Sequence, residues 1–346
     1  MTVWFDEGRL DDERVLAAAD HRLRELAQSG ARVRRDAHEA SAAGASALAN
    51  DQGDGFRPRA ILAAGPDSRL LRAVLEPWCP VPFVAWPNPS LPGWAGSLDL
   101  VVILAPHGSD DEAASAVAEA VRRGCQVVVA CPEPSLVAEH ATGRHVTILP
   151  TVTGDQLATA VVMLEFLDHM RWGPSADAES VAVALDAVAA AASPHRNLAV
   201  NPAKMMAIAL ADGSPLVWGV SVLAARAARR VAESIRRATG RGALAGDAQH
   251  LLPVIAGARV RDIFEDPFMD ESRQDEPRPV LLVLDDGSSD AVAREQRGQL
   301  LAEAGRRGVR VETISTHAPS EVARYASLVL EGTYVAEYLR LGLAEG

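Results

Sequence analysis

Short, uninterrupted apolar runs punctuate the chain, each followed by a polar turn and then by a stretch with helical spacing. Leu100 to Leu104 is such a run, the mark of a strand buried on both faces of a parallel sheet. Pro106 and Gly108 stop it. Ser109 or Asp110 stands where a helix cap is needed, and Asp110, Asp111 and Glu112 crowd the first turn, where acids complement the helix dipole. Arg122-Arg123-Gly124 closes the helix with basic residues and a terminal glycine, and Val127 to Ala130 is the next buried strand. The pattern is one βαβ unit. Its loop lies at the carboxyl end of a parallel strand, where open α/β sheets bind ligands.

The same pattern recurs near the C-terminus. Val280 to Leu284 is apolar, Asp285-Asp286-Gly287-Ser288-Ser289-Asp290 forms the turn, and a helix runs to Arg306-Arg307-Gly308 before Val309 to Ile314 resumes a strand. Gly-Ser-acid after the first strand and Arg-Arg-Gly before the second occur in both copies, which reads as an internal duplication.

Between and around these units the pattern predicts further elements. Residues 11 to 29 have helical spacing in Val15, Leu16, Ala19, Leu23 and Leu26, and a loop is expected at Asn50 to Gly55. Arg59 to Ala64, Val81 to Trp86 and Val146 to Leu149 read as strands, with helices at Arg69 to Glu76 and Asp155 to Met170. A helical segment, Ala178 to Ala192, sits between Gly-Pro-Ser and Ser-Pro breaks. Asn201-Pro202 starts a helix expected to turn Met205, Ile208 and Leu210 inward. Leu216 to Gly219 is a strand, and Gly219-Val220-Ser221 opens a long helix to Arg237. Gly240 to Gly246 reads as loop, His250 begins a helix or turn, Asp266 to Pro279 reads as exposed, and residues 320 to 343 form one or two closing helices. Each half therefore repeats the doubly wound order of strand, turn and helix.

Composition narrows the function. The chain has 346 residues, 48% of them apolar, enough for two cores. A net charge of -12 argues against a nucleic-acid surface or an anionic membrane as partner. Cys79, Cys125 and Cys131 have no metal-ligand spacing, cannot all pair, and read as reduced, buried thiols of a cytoplasmic protein. The first residues carry no signal-peptide core, no run is long enough to span a membrane, and no cofactor or metal motif is present. Trp78, Trp86 and Trp94 are expected to pack in the core and loops. Ser221, Ser288 and Ser289, beside Gly219 and Gly287, stand as N-caps and as candidate anion-binding turns.

Several stretches resemble the sugar isomerase (SIS) domain. They are the start Asn201-Pro202-Ala203-Lys204, the strand Leu216-Val217-Trp218-Gly219 and the ending Ala326 to Leu330 through Tyr334 to Leu339. More narrowly, the chain resembles the bifunctional phosphoglucose/phosphomannose isomerases, closest to the actinobacterial TobH-like branch. The resemblance implies two tandem doubly wound SIS-type domains with parallel sheets flanked by helices. Their limits would be an N-terminal helical segment (1–56), a first domain (57–172), a linker with a helix (173–198) and a second domain (199–346). It also implies a homodimer, a sugar phosphate as ligand and, in active members, aldose–ketose isomerisation of glucose 6-phosphate or mannose 6-phosphate.

The motifs are degraded. Where members carry a Gly-Met-Gly-Gly-Ser turn, this chain has Gly65-Pro66-Asp67-Ser68. Where they hold the sugar phosphate with Ser-x-Ser-Gly-Asn-Thr-Glu-Glu, it has Ala105-Pro106-His107-Gly108-Ser109-Asp110-Asp111-Glu112. Asp110 replaces a phosphate-binding threonine, and a carboxylate beside a dianion costs roughly 1 to 4 kcal/mol at close range. The family's base glutamate aligns with Arg236-Arg237, leaving Arg237 in its place and Glu233 one turn earlier as a substitute. The ring-opening histidine aligns with His250. The expected ligand-binding set is thus Gly65, Ser68, Gly108, Ser109, Gly219, Ser221, Ser288, Ser289 and Arg237, with His250 and Glu233 as catalytic candidates. The expectation is a carbohydrate-binding pseudoenzyme, with an active isomerase or a non-catalytic regulatory protein as alternatives.

Overall fold

The structure, a computed structural model, describes residues 3–45, 57–258 and 278–345. The chain forms two compact units, Gln28–Val183 and Met1–Ala27 with Ala184–Gly346. The first residues form β1 (Val3–Phe5), a 3-10 turn (Glu7–Leu10), α1 (Glu13–Ala18) and α2 (Asp20–Ala27). The unit Gln28–Val183 then runs α3 (Ser29–Ala42), β2 (Ile61–Ala64), α4 (Ser68–Leu75), β3 (Phe83–Trp86), β4 (Leu100–Leu104) and α5 (Asp111–Arg122). It continues with β5 (Gln126–Cys131), α6 (Leu136–His140), β6 (Val146–Pro150) and α7 (Gln156–His169). The chain leaves this unit within α8 (Ala178–Ala191).

Strand order in this unit is β3-β2-β4-β5-β6, every pair parallel. β2 and β4 are buried along their whole length, as continuous apolar runs demand. The core joins Val101, Ile103, Val127 and Val129 of β4 and β5 to Ala113, Ala116, Val117 and Ala120 of α5. Alanine on that helix face lets it lie close on the sheet. Asp110, not Ser109, caps α5, accepting the Ala113 amide at 2.7 Å.

The other unit continues with α9 (Pro202–Leu210), β7 (Gly213–Gly219), α10 (Val222–Thr239), β8 (Leu244–Ala245) and α11 (Ala248–Ala256). It ends with β9 (Arg278–Asp285), α12 (Ala291–Arg307), β10 (Arg310–Ser315), α13 (Glu321–Gly342) and β11 (Leu343–Glu345). The order β10-β9-β7-β8 is again parallel. β1 pairs antiparallel with β11, so the first residues lie with the last. Both expected βαβ units are present, β4-α5-β5 and β9-α12-β10. Each helix ends on a left-handed glycine, Gly124 at φ 70° and Gly308 at φ 64°.

The structure departs from expectation at particular places. β8 stands within the stretch expected as loop. The closing stretch, expected as one or two helices, is the single helix Glu321–Gly342. Met205 does not face inward; it is 51% exposed. The capping of α9 by Asn201 sets the inward stripe on Ala203, Lys204, Ala207 and Leu210 instead. Lys204 is fully buried because it finds partners: Asp11 Oδ1 at 2.7 Å and the carbonyls of Pro194 and Arg196 at 2.9 and 3.0 Å. Trp78 and Trp94 remain about half exposed, with the Arg59 guanidinium over the Trp94 ring. The expected loop at Asn50 to Gly55 lies outside the described residues, as does the stretch from Asp266 up to β9.

Candidate functional site

In the unit Gln28–Val183, the loops at the carboxyl ends of the strands are built on two glycines. Gly65 ends β2 at φ 87°, and its carbonyl accepts the Ser68 amide at 3.1 Å. Ser68 opens α4 but is only 1% exposed, and its hydroxyl has no hydrogen-bond partner among the described residues. Asp67 accepts the side-chain amide of Gln156, which ties the β2 turn to the start of α7. Gly108 sits at φ 68°, where a Cβ would lie 2.4 Å from Ser135 Cβ; only glycine fits. His107 and Ser109 are exposed beside it.

Carboxylates already engage amide donors at the starts of α5 and α7 and in the turn after β6. Asp110 takes the Ala113 amide. Asp155 takes the Leu157 and Ala158 amides, both at 2.9 Å, and pairs with Arg32 at 2.8 Å. Asp36, fully buried on α3, accepts Val152 N at 2.8 Å, Thr153 N at 3.0 Å and Thr153 Oγ1 at 2.7 Å. The chain's own carboxylates therefore stand where a phosphate would be cradled. Sequence reasoning misses Asp36 and Asp155 as partners at these loops. Only Asp155 carried a local signal, an acid immediately before a helical run.

The second sheet repeats the arrangement. A Cβ on Gly219 would lie 2.1 Å from the Ala224 carbonyl carbon and 2.2 Å from the Ala225 amide nitrogen, so α10 starts directly against the end of β7. Gly219→Ala is expected to destabilise the protein by about 1 to 3 kcal/mol through overpacking, read as a lowered urea midpoint. Ser221 caps α10 through the Ala224 amide at 3.0 Å and donates its hydroxyl to Asp286. Asp285 holds the Gly287 amide at 2.9 Å and the Arg297 guanidinium at 2.6 Å, and Asp290 caps α12 through Ala293 N at 2.8 Å. Ser288 and Ser289 are exposed in this acidic turn.

The catalytic candidates are held separately. Glu233 is bridged by Arg237 at 2.6 Å and Arg230 at 3.3 Å, both on its own helix. His250 stands on α11 with its side chain 79% exposed, 3.8 Å from Asp247. Among the described residues no hydrogen bond or ion pair joins Glu233 to His250. Arg241 is spent on the Gly213 carbonyl at 2.9 Å and on that of Ala211.

Other titratable groups lie off these loops. Burial pushes the Cys131 thiol up to about 11, which keeps it protonated and inert. Among the described residues no three His, Cys, Asp or Glu are placed to hold a metal ion. Glu331 on α13 is half-buried and lacks a hydrogen-bond or ion-pair partner among the described residues; burial raises it to about 7. Tyr334, a turn further on, is fully buried, and its hydroxyl has no hydrogen-bond partner among the described residues.

Residues 199–343 match the family model of the bacterial phosphoglucose isomerase C-terminal SIS domain. Among solved structures, the chain is similar to the tagatose-6-phosphate ketose/aldose isomerase from Escherichia coli. The TM-score is 0.66, with 14% identity, over 92% of this chain and 93% of that one. It is also similar to the C-terminal domain of glucosamine-fructose-6-phosphate aminotransferase from Francisella tularensis, with a TM-score of 0.60 and 11% identity over 93% and 96% of the two chains. No curated protein matches the chain in sequence. At these identities the structural likeness is one of fold: α/β with parallel sheets flanked by helices, of the SIS type. No helix among the described residues is long and apolar enough to cross a membrane.

Proposed function

We propose that the protein is a phosphosugar-isomerase-like pseudoenzyme that binds a carbohydrate derivative without efficient turnover. The observation that carries this reading is the state of Glu233. Two guanidiniums occupy the oxygens that a base must keep free to take a proton from a sugar carbon. His250, exposed on another helix, is not hydrogen-bonded to it. The reading extends the family resemblance to the TobH-like branch and takes the protein as a cytoplasmic homodimer.

A thermal-shift panel of glucose 6-phosphate, mannose 6-phosphate, fructose 6-phosphate and inorganic phosphate, run beside a coupled isomerase assay, tests it. The expected result is weak, concentration-dependent stabilisation by a hexose phosphate without turnover. Asp110→Ser keeps the helix cap but removes the like charge, and is expected to tighten hexose-phosphate binding about tenfold. Turnover abolished by His250→Ala would defeat the pseudoenzyme reading. Neither shift nor turnover would leave a non-catalytic interaction protein.

One observation favours the second reading, an active aldose–ketose isomerase. Glu331 is a carboxyl with raised proton affinity and, among the described residues, no hydrogen-bond or ion-pair partner. If turnover is found, Glu331→Gln is the variant that decides which carboxylate serves it.

A further inference from the structure

A cavity of about 480 Å³ opens in the unit Gln28–Val183 between α3 and the second half of α7. It lies away from the strand-end loops: Glu165 on its wall is nine residues, about 13 Å of helix, beyond Gln156 at the start of α7. Its walls are partly apolar, with Phe166 and Val162 on α7 and Ala37 and Ala40 on α3.

The charges that face it come from every element around it. Arg34 of α3 is tied to Glu179 of α8 by two hydrogen bonds, at 2.8 and 3.0 Å, and the two cancel. Asp177, before α8, accepts the Ser180 amide at 2.8 Å. Glu165 accepts the Ala178 amide at 2.7 Å through one oxygen, which fixes the carboxyl against the cavity wall. Burial raises its proton affinity, the state in which a carboxylate gains most from a cation. His169, the exposed His38 and Asp168, which also acts on Glu165, complete the set. The His169 Nδ1 lies 2.7 Å from the Glu165 carbonyl, which can only accept, so Nδ1 carries a proton and Nε2 is the open position. With both histidines neutral, Glu165 and Asp177 leave the cavity net negative. That charge repels sugar phosphates, and no three-ligand metal set is present among the described residues.

We propose that this cavity is a binding site for a small organic cation, an ammonium group on an apolar or aromatic body, with Glu165 receiving the ammonium and Phe166 and Val162 packing the body.

Isothermal titration of the full-length chain with benzylamine and propylamine, beside benzyl alcohol and propanol, tests the proposal. The expected result is saturable binding of the amines and not of the alcohols. Glu165→Gln, which still accepts the Ala178 amide, is expected to weaken binding about tenfold, the worth of one charge-assisted hydrogen bond. Ala37→Leu, which fills the cavity from its half-exposed rim, should weaken it at least as much. Circular dichroism shows which variants are folded, and Ala37→Leu decides alone if Glu165→Gln does not fold. Equal response to amines and alcohols, no response to amines, or wild-type affinity in a folded variant would overturn the proposal.

Discussion

Lys204→Met is expected to lower the stability of the protein by about 3 kcal/mol, the low end for breaking a buried ion pair. The methionine matches the length of the aliphatic stem, so packing against the Tyr338 ring, 5.5 Å from the ammonium, is largely kept. What is lost is the ammonium alone. It bonds Asp11 and two backbone carbonyls, Pro194 and Arg196, and is itself fully buried. The two carbonyls are left unmet at about 1 to 3 kcal/mol each when they stay dry. Asp11 is 41% exposed and recovers water, which keeps the total away from the upper end. The Lys204 hydrogen bond also holds the Asp11 carboxyl below its ordinary value. That contribution is present above the ordinary carboxylate range and disappears as the pH falls through the lowered value, so the gap between the two proteins narrows in acid. Urea unfolding at neutral pH measures the loss. Amide exchange gives a local readout, since Leu198 N donates to Asp11 Oδ2 at 3.2 Å and should exchange faster in the variant. An unchanged midpoint with unchanged Leu198 exchange would show that Lys204 does not fasten Asp11 to this segment.

Lys204 also marks where sequence reading stops. The pattern placed β4, α5 and β5 within a residue or two, because buried parallel strands and terminal glycines leave strong local signals. The helix α9 was legible from Asn201-Pro202, yet its inward face was not. A lysine on a buried face is explained by the Pro194 and Arg196 carbonyls and by Asp11, almost two hundred residues away, and such contacts leave no periodicity. β1 and β11 are three residues each, too short to show an alternation, so their pairing was invisible. The site divides in the same way. Gly65, Gly108, Gly219 and Ser221 were readable because turns and caps are local. Asp36 reaching Val152 and Thr153, and Ser221 donating to Asp286, are tertiary contacts that only the fold reveals. Glu233 with Arg237 is the instructive case: the i, i+4 spacing that pairs them stands in the sequence, and it weighs against Glu233 as a base.

Glu331→Gln is expected to stabilise the protein above neutral pH and to flatten its stability profile. Burial raises the Glu331 carboxyl to about 7, and nothing among the described residues pairs with it to offset the cost of ionisation. The folded state therefore holds this proton more tightly than the unfolded chain, whose carboxyl titrates near 4.5. The sign follows from linkage. Stability from this group is fully present below the unfolded value, declines as pH rises between the two values, and is gone once pH passes the folded one. The slope over that window is about 1.4 kcal/mol per pH unit, which sums to about 3 kcal/mol at pH 8. Glutamine stays neutral, so the variant should match the wild type near pH 4 and exceed it by that amount at pH 8. Urea midpoints measured across the range check this, and parallel profiles for the two proteins would contradict it. A carboxyl kept at such a cost, one turn from the unpartnered Tyr334 hydroxyl, is where stability has been given up. If the variant gains stability and loses any isomerase turnover present in the wild type, Glu331 is the base that Glu233 cannot be. If it gains stability and the protein's ligand binding is untouched, Glu331 is a feature of the α13 packing alone.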